Sequence, residues 1–336
     1  MTLRALRITL LLVAAAALHW LGAAPLFAAA AEPAPLAHQS LLLDGQVVGD
    51  RLVVVGERGH ILISTDGGRS WRQSPVPTRV TLTSVFFVDG QLGWAAGHDA
   101  TILRTTDGGT SWQLVHSDPE LDAPILDLWF RDADFGLAVG AYGLLLETTD
   151  GGSSWQKRPL ITGRGAAAAL LDDADTPGID LHLNSLQAAP TGELYLAGES
   201  GHLFRSDDGR RWTTIPFPYE GSLFGTLPLD GGRLLAFGLR GHLFASADAG
   251  RRWQAIETGT EATLNDALRL RDGRIVVAGL AGTVLIGRPE TARFELRPQP
   301  DRAGFVRILE VTDGALVLLG THGARRLELP PEGGPR

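Results

Sequence analysis

Five aspartates hold one fixed place in the commonest motif of this chain. Asp66, Asp107, Asp150, Asp207 and Asp248 each stand five residues before a tryptophan (Trp71, Trp112, Trp155, Trp212, Trp253), with a glycine three residues before it. A carboxylate in a glycine-rich turn is a candidate calcium ligand. Three histidines, His60, His202 and His242, also recur in one setting, Gly-His-(Ile/Leu), and histidine is a common zinc ligand. Neither pattern completes a site. Calcium loops need acid ligands at alternating positions, which these turns lack. Equivalent positions in successive repeats lie a repeat apart, too far to share one ion. The reading is structural in both cases, with no metal and no cofactor expected. The chain has no cysteine, which excludes disulfides, thiol redox chemistry and cysteine-bound metal.

The elements that carry these turns follow from their spacing. Successive tryptophans are 41, 43, 57 and 41 residues apart. A second marker, an apolar run ending in glycine, recurs seven times, at Gly56, Gly97, Gly140, Gly198, Gly238, Gly279 and Gly320. In the sixth unit Phe294 replaces the tryptophan and Pro289 the aspartate, and the seventh unit ends at Leu329 before any such turn. Within one unit, Thr81–Val88, Leu92–Ala96, Thr101–Thr105 and Ser111–His116 read as short strands punctuated by Asp-Gly and Gly turns. Four strands per repeat of about 40 residues make a propeller blade. The predicted fold is all-β, a seven-bladed β-propeller of four-stranded antiparallel blades, over residues 32–336. In such a turn the Asp caps backbone N–H groups, Gly supplies a positive φ, and Trp packs on the neighbouring blade. Blade seven lacks an outer strand, and residues 32–40 are expected to supply it and close the ring.

Arg4 and Arg7, an apolar stretch over 8–24 and the run Ala28-Ala29-Ala30-Ala31 read as a secretory signal peptide, residues 1–31. The alternative is an uncleaved membrane anchor. Cleavage removes two arginines and no acid, taking the net charge from −8 to −10. So acidic a chain is a poor match for nucleic acid. A periplasmic or otherwise exported monomer is expected.

The Asp/Gly/Trp turn is identified as an Asp box, or BNR repeat. Four copies also carry Ser or Thr seven residues before the tryptophan (Ser64, Thr105, Thr148, Ser246), and Arg205 breaks that pattern in the fourth. Units such as Leu92-Gly93-Trp94-Ala95-Ala96-Gly97 followed by 102–112, and Leu137-Ala138-Val139-Gly140 followed by 148–155, resemble the photosystem II stability/assembly factor family. The resemblance spans essentially the whole mature chain. It implies an exported, non-catalytic propeller that binds a protein partner and assists a membrane or envelope complex. The Ala-, Arg- and Leu-rich composition points to a member from a non-photosynthetic bacterium.

In a four-stranded blade the turns between strands two and three share a face with the interblade connections, opposite the Asp boxes. That face carries the partner-binding candidates Arg58, His98, Tyr142, Arg240 and His322, with Arg158 and Arg164 on the inserted interblade loop 157–183. The resemblance also implies an arginine-rich contact patch, for which Arg79 and Arg302 are further candidates. The rival reading is a sialidase-like glycoside hydrolase, because Asp boxes are common there. It requires an arginine triad beside a Tyr–Glu pair, and only Tyr142, Tyr195 and Tyr219 are available.

Overall fold

The computed structural model describes residues 29–162, 181–288 and 293–329. They form seven antiparallel sheets in a closed ring. The inner strands are Leu42–Val48, Leu82–Phe87, Ile125–Phe130, Leu183–Ala188, Leu223–Pro228, Leu264–Arg269 and Phe305–Glu310. Each touches the next, and the last touches the first. Residues 1–28, which hold most of the expected signal peptide 1–31, and residues 163–180 of the inserted loop, 289–292 and 330–336 lie outside the described residues.

The second strand of every blade is buried along its whole length, Arg51 at the start of the first excepted, because it is covered on both faces. Its side chains alternate between the two neighbouring blades, as strand geometry requires. Val53 and Val55 face blade two, while Leu52 and Val54 face blade seven. This is why the strand reads Leu-Val-Val-Val rather than alternating apolar with polar. The core is accordingly seven wedges, one between each pair of adjacent blades. Each fully buried Val, Leu or Ile there contributes about 1.5–3 kcal/mol.

Two blades depart from four strands. Blade four gains a fifth, Ile161–Thr162, which pairs parallel with the outer strand Arg211–Thr214. Blade seven has three among the described residues, and the expected closure by a strand from residues 32–40 does not occur. Pro33 and Pro35 carry no N–H, and the rest of this segment is engaged elsewhere. Ala31 N–H donates to the Val76 carbonyl (2.9 Å) and Ala34 N–H to Gln73 Oε1 (2.8 Å), tying the segment to blade one. Ala37–Gln39 then makes a single 3-10 turn. A Cβ on Gly323 would meet the His38 carbonyl oxygen at 1.9 Å, and one on Gly241 would meet that of Thr260 at the same distance. The N-terminal segment thus stands in for an interblade connection and closes the ring through the blade-seven/blade-one wedge.

Candidate partner-binding face

The Asp boxes are saturated by their own loops. In the first box Asp66 Oδ1 accepts from Arg69 N–H (3.0 Å), Ser70 N–H (2.9 Å) and the Ser64 hydroxyl (2.8 Å), and Oδ2 accepts from the Ser70 hydroxyl (2.5 Å). Gly68 N–H donates to Ser64 Oγ at 2.8 Å. The Ser70 bonds foremost hold the Asp66 carboxyl far below its ordinary range. Asp107, Asp150 and Asp248 repeat the pattern. Arg252 brings Asp248 down to about 2. The fourth box differs from the sequence reading: Asp208, not Asp207, is its carboxylate. Asp208 accepts from Arg210 and Arg211 N–H (both 2.8 Å) and from Ser206 Oγ (3.1 Å). One residue is missing between Ser206 and Trp212, so Ser206 rather than Arg205 takes the hydroxyl place, and Asp207 pairs with Arg205 outside the turn.

Each box is a fastener to the preceding blade. Trp112 packs with Val53 and Ile63 of blade one, and Trp212 with Phe135 and Leu137 of blade three. The preceding blade reaches back to the box backbone. Arg51 donates to the Gly108 carbonyl (3.1 Å), Trp94 to Gly151 (3.1 Å) and Arg326 to Gly67 (2.9 Å).

The opposite face is built from the turns between second and third strands. In blades one to six they are type I′ turns, with two consecutive residues in the left-handed region, whereas in blade seven only Gly323 is left-handed. Arg58 (φ 56°), Tyr142 (54°), Ser200 (53°), Arg240 (55°) and Ala281 (55°) each precede a positive-φ glycine, and Asp99 (56°) precedes Ala100 (44°). A non-glycine residue there costs about 1–2 kcal/mol. The following glycines cannot be replaced: a Cβ on Gly59 or Gly201 would lie 2.2 or 2.0 Å from the carbonyl oxygen of Thr78 or Tyr219. The turns therefore rest on the interblade connections and project their first residue to solvent. Arg58, His98, Tyr142, Arg240 and His322 are all exposed at this rim, on five different blades.

Tyr142 is the most exposed large aromatic, at 59 %. Its ring lies 5.1 Å from that of His182, whose Nδ1 sits 2.9 Å from Glu199 Oε2. Gly143 N–H donates to the Leu181 carbonyl at 2.8 Å, so the inserted loop re-enters the fold beside this tip. Arg164 lies outside the described residues. Arg158 does not join the rim: its guanidinium turns along the side of blade three to the buried Glu147 (3.3 Å), which Arg210 also holds (2.9 Å). Arg79 is likewise taken up, by Glu32 and the Ala30 carbonyl. Two of the recurring histidines serve their own turns, and the third, His60, holds the segment before the first inner strand. His202 and His242 Nδ1 lie 3.0 Å from the carbonyls of Glu199 and Leu239, and His60 Nδ1 lies 3.1 Å from Ser40 Oγ.

The ring encloses a central cavity of about 430 Å³, lined by the inner strands. Every inner strand carries a bulge at its start, at the register position of Asp44, Ser84, Asp127, Ser185, Gly225, Asp266 and Arg307. Four of these side chains accept an N–H from the next blade. Asp44 accepts from Val85 (2.8 Å), Ser84 from Leu128 (3.1 Å), Asp127 from Leu186 (2.8 Å) and Asp266 from Ile308 (2.7 Å). Arg307 links blade seven to blade one, 3.0 Å from Asp44 and donating to the Gly45 carbonyl (3.2 Å). Burial, then the Asp44 charge, pushes Asp127 up to about 6; burial pushes Asp266 to about 6 against the pull of Arg307. The spacing Leu-x-(Asp/Ser) at the head of four inner strands, at Leu42, Leu82, Leu183 and Leu264, is a signal of these residues that sequence reasoning passed over. Among the described residues one arginine and no tyrosine line the cavity, and Tyr195 is 3 % exposed, packed between blades four and five.

The family described as Photosynthesis system II assembly factor YCF48 matches residues 34–123 and 116–292. Among solved structures, one described as YCF48 bound to D1 peptide is 19 % identical with a TM-score of 0.70, covering 90 % of this chain and 99 % of that one. YCF48 from Cyanidioschyzon merolae is 18 % identical with a TM-score of 0.66, covering 91 % and 100 %. The WD40 propeller domain of Doa1 is 13 % identical with a TM-score of 0.67, covering 91 % and 97 %, so the architecture reaches well beyond one family. No curated protein matches the chain. By the match across most of its length, this chain belongs to the photosystem II assembly factor YCF48 family.

Proposed function

We propose that this protein is a non-catalytic, exported scaffold that holds a segment of a protein partner on its turn-tip face and assists assembly or operation of a membrane or envelope complex. One observation carries the reading. The two faces divide their work: the boxes spend their polar groups on fastening blades, while the opposite rim presents strained, solvent-facing side chains on six blades, at Arg58, Asp99, Tyr142, Ser200, Arg240 and Ala281. Strain retained at exposed positions is characteristic of functional surfaces. The family supports a protein partner, and a similar propeller has been solved with a D1 peptide. Against the sialidase-like alternative, the described residues bring a single guanidinium to the cavity, that of Arg307, already paired with Asp44. Export rests on the N-terminal sequence alone.

The test compares the tagged chain with Arg58→Glu, Tyr142→Ala and Arg240→Glu variants in capture from detergent-solubilised membranes. The variants are expected to fold normally and lose a membrane protein that the parent retains. An identical captured set from parent and variants would sink the assignment of this face.

A further inference from the structure

Among the described residues blade seven has three strands, and the repeat itself states what a fourth would be. In other blades the third strand pairs with a fourth and is more buried: Ile61–Ser64 and Leu145–Thr148 at every residue, Ile102–Thr105, Leu203–Ser206 and Leu243–Ser246 at three residues of four, and Val284–Arg288 at two of five. In Gly323–Leu327 only Gly323 is buried, and among the described residues no strand pairs with its outer side. The wedges show the same gap. Trp112, Trp155, Trp212, Trp253, Phe294 and Trp71 each bring an aromatic from the outer-strand unit of a blade into the wedge with the preceding blade. The wedge between blades six and seven receives none, and Leu327 and Leu329 cover it only in part.

An exposed strand edge of this kind is a template for a further strand. The outer edge of blade four already accepts one, the parallel Ile161–Thr162. We infer that the edge of blade seven binds an extended segment of a partner protein, a Trp or Phe followed by three or four strand-forming residues, antiparallel to Gly323–Leu327. The aromatic enters the six/seven wedge and the following residues complete the sheet. That composition is read from the six outer units present in this chain. The chain's own tail is a poor occupant: Pro330, Pro331 and Pro335 have no N–H to give, and residues 330–336 contain no aromatic. The N-terminal segment is committed to blade one.

The test uses the full chain and a fluorescent peptide copying residues 110–116, the outer strand of blade two with its tryptophan. Saturable binding of one peptide per chain is expected, at least about tenfold weaker when the peptide carries alanine for tryptophan. A second chain, in which a copy of residues 246–256 follows Leu329, fills the edge in cis; it should melt higher and bind no peptide. No binding by the full chain, or equal binding by the filled chain, overturns the inference. A full chain that dimerises, with dimers abolished by the filled edge, assigns the edge to a second copy and overturns the partner assignment.

Discussion

The contracted fourth box separates two neighbouring aspartates that look interchangeable in sequence. Asp208 accepts two backbone N–H groups and a hydroxyl, while Asp207 makes one exposed contact with Arg205. Replacing Asp208 by Ala frees the N–H groups of Arg210 and Arg211, as removal of a helix N-cap does, at about 0.5–2 kcal/mol. The depressed carboxyl, at about 2, is an independent measure of the same interactions, although burial opposes the bonds that lower it. A shift from 3.8 to about 2 corresponds to roughly 2.5 kcal/mol, which solvent screening of a side chain 39 % exposed reduces to about 1–1.5. Asp208→Ala should therefore lower Tm by about 2–3 °C, at about 2 °C per kcal/mol for a chain of this size. Asp207→Ala removes a surface pair worth about 0–1 kcal/mol and should shift Tm by about 1 °C or less. Because the depressed group stabilises above its unfolded pKa, the difference between the two variants should shrink as pH falls from 4 towards 2. Differential scanning calorimetry of both variants at pH 7 and pH 3 measures this. An Asp207→Ala loss as large as that of Asp208→Ala would refute the contracted box.

Trp112 is 5 % exposed and fills the wedge between blades one and two, so Trp112→Ala should cost about 3–5 kcal/mol in chemical denaturation. Arg240→Gly relieves a left-handed residue at φ 55° and should leave stability unchanged or raise it by up to about 1 kcal/mol, while weakening partner capture; Gly241→Ala, whose Cβ would lie 1.9 Å from a carbonyl oxygen, should destabilise clearly. Asp127 and Asp266, raised to about 6 beside Asp44 and Arg307, bind protons in the folded state that the unfolded chain has lost. Stability is therefore expected to fall as pH rises from about 4 to 6, by at most about 3 kcal/mol per group, and Asp266→Asn should flatten that slope in pH-resolved melts.

What the sequence disclosed, and what it hid, follows from how repeats carry information. A strand buried on both faces must be apolar throughout and must turn tightly, so Val53-Val54-Val55-Gly56 and its six equivalents announced the blade count. The boxes were equally plain, because Asp, Gly and Trp each answer a separate demand of one turn. Asp207 misled for a local reason: with one residue fewer in the turn, the box carboxylate Asp208 stands four residues before Trp212, and Asp207 falls at the five-residue spacing of the other boxes while Ser206 supplies the hydroxyl. The cavity residues escaped because their repeat position tolerates Asp, Ser, Gly or Arg. What is common there is the bulge, a backbone feature with no fixed residue type. Closure escaped because it needs no strand: a wedge sealed by Ala37, Leu42 and Leu319 suffices, and the edge of Gly323–Leu327 is left without a pairing strand among the described residues. Where the repeat is kept, side chains are consumed by the scaffold, as at Asp66 and Trp112. Where it lapses, at the turn tips, the re-entry beside Tyr142 and the outer edge of blade seven, groups are left over for something outside the chain. Function in this fold is therefore to be sought at the departures from its period.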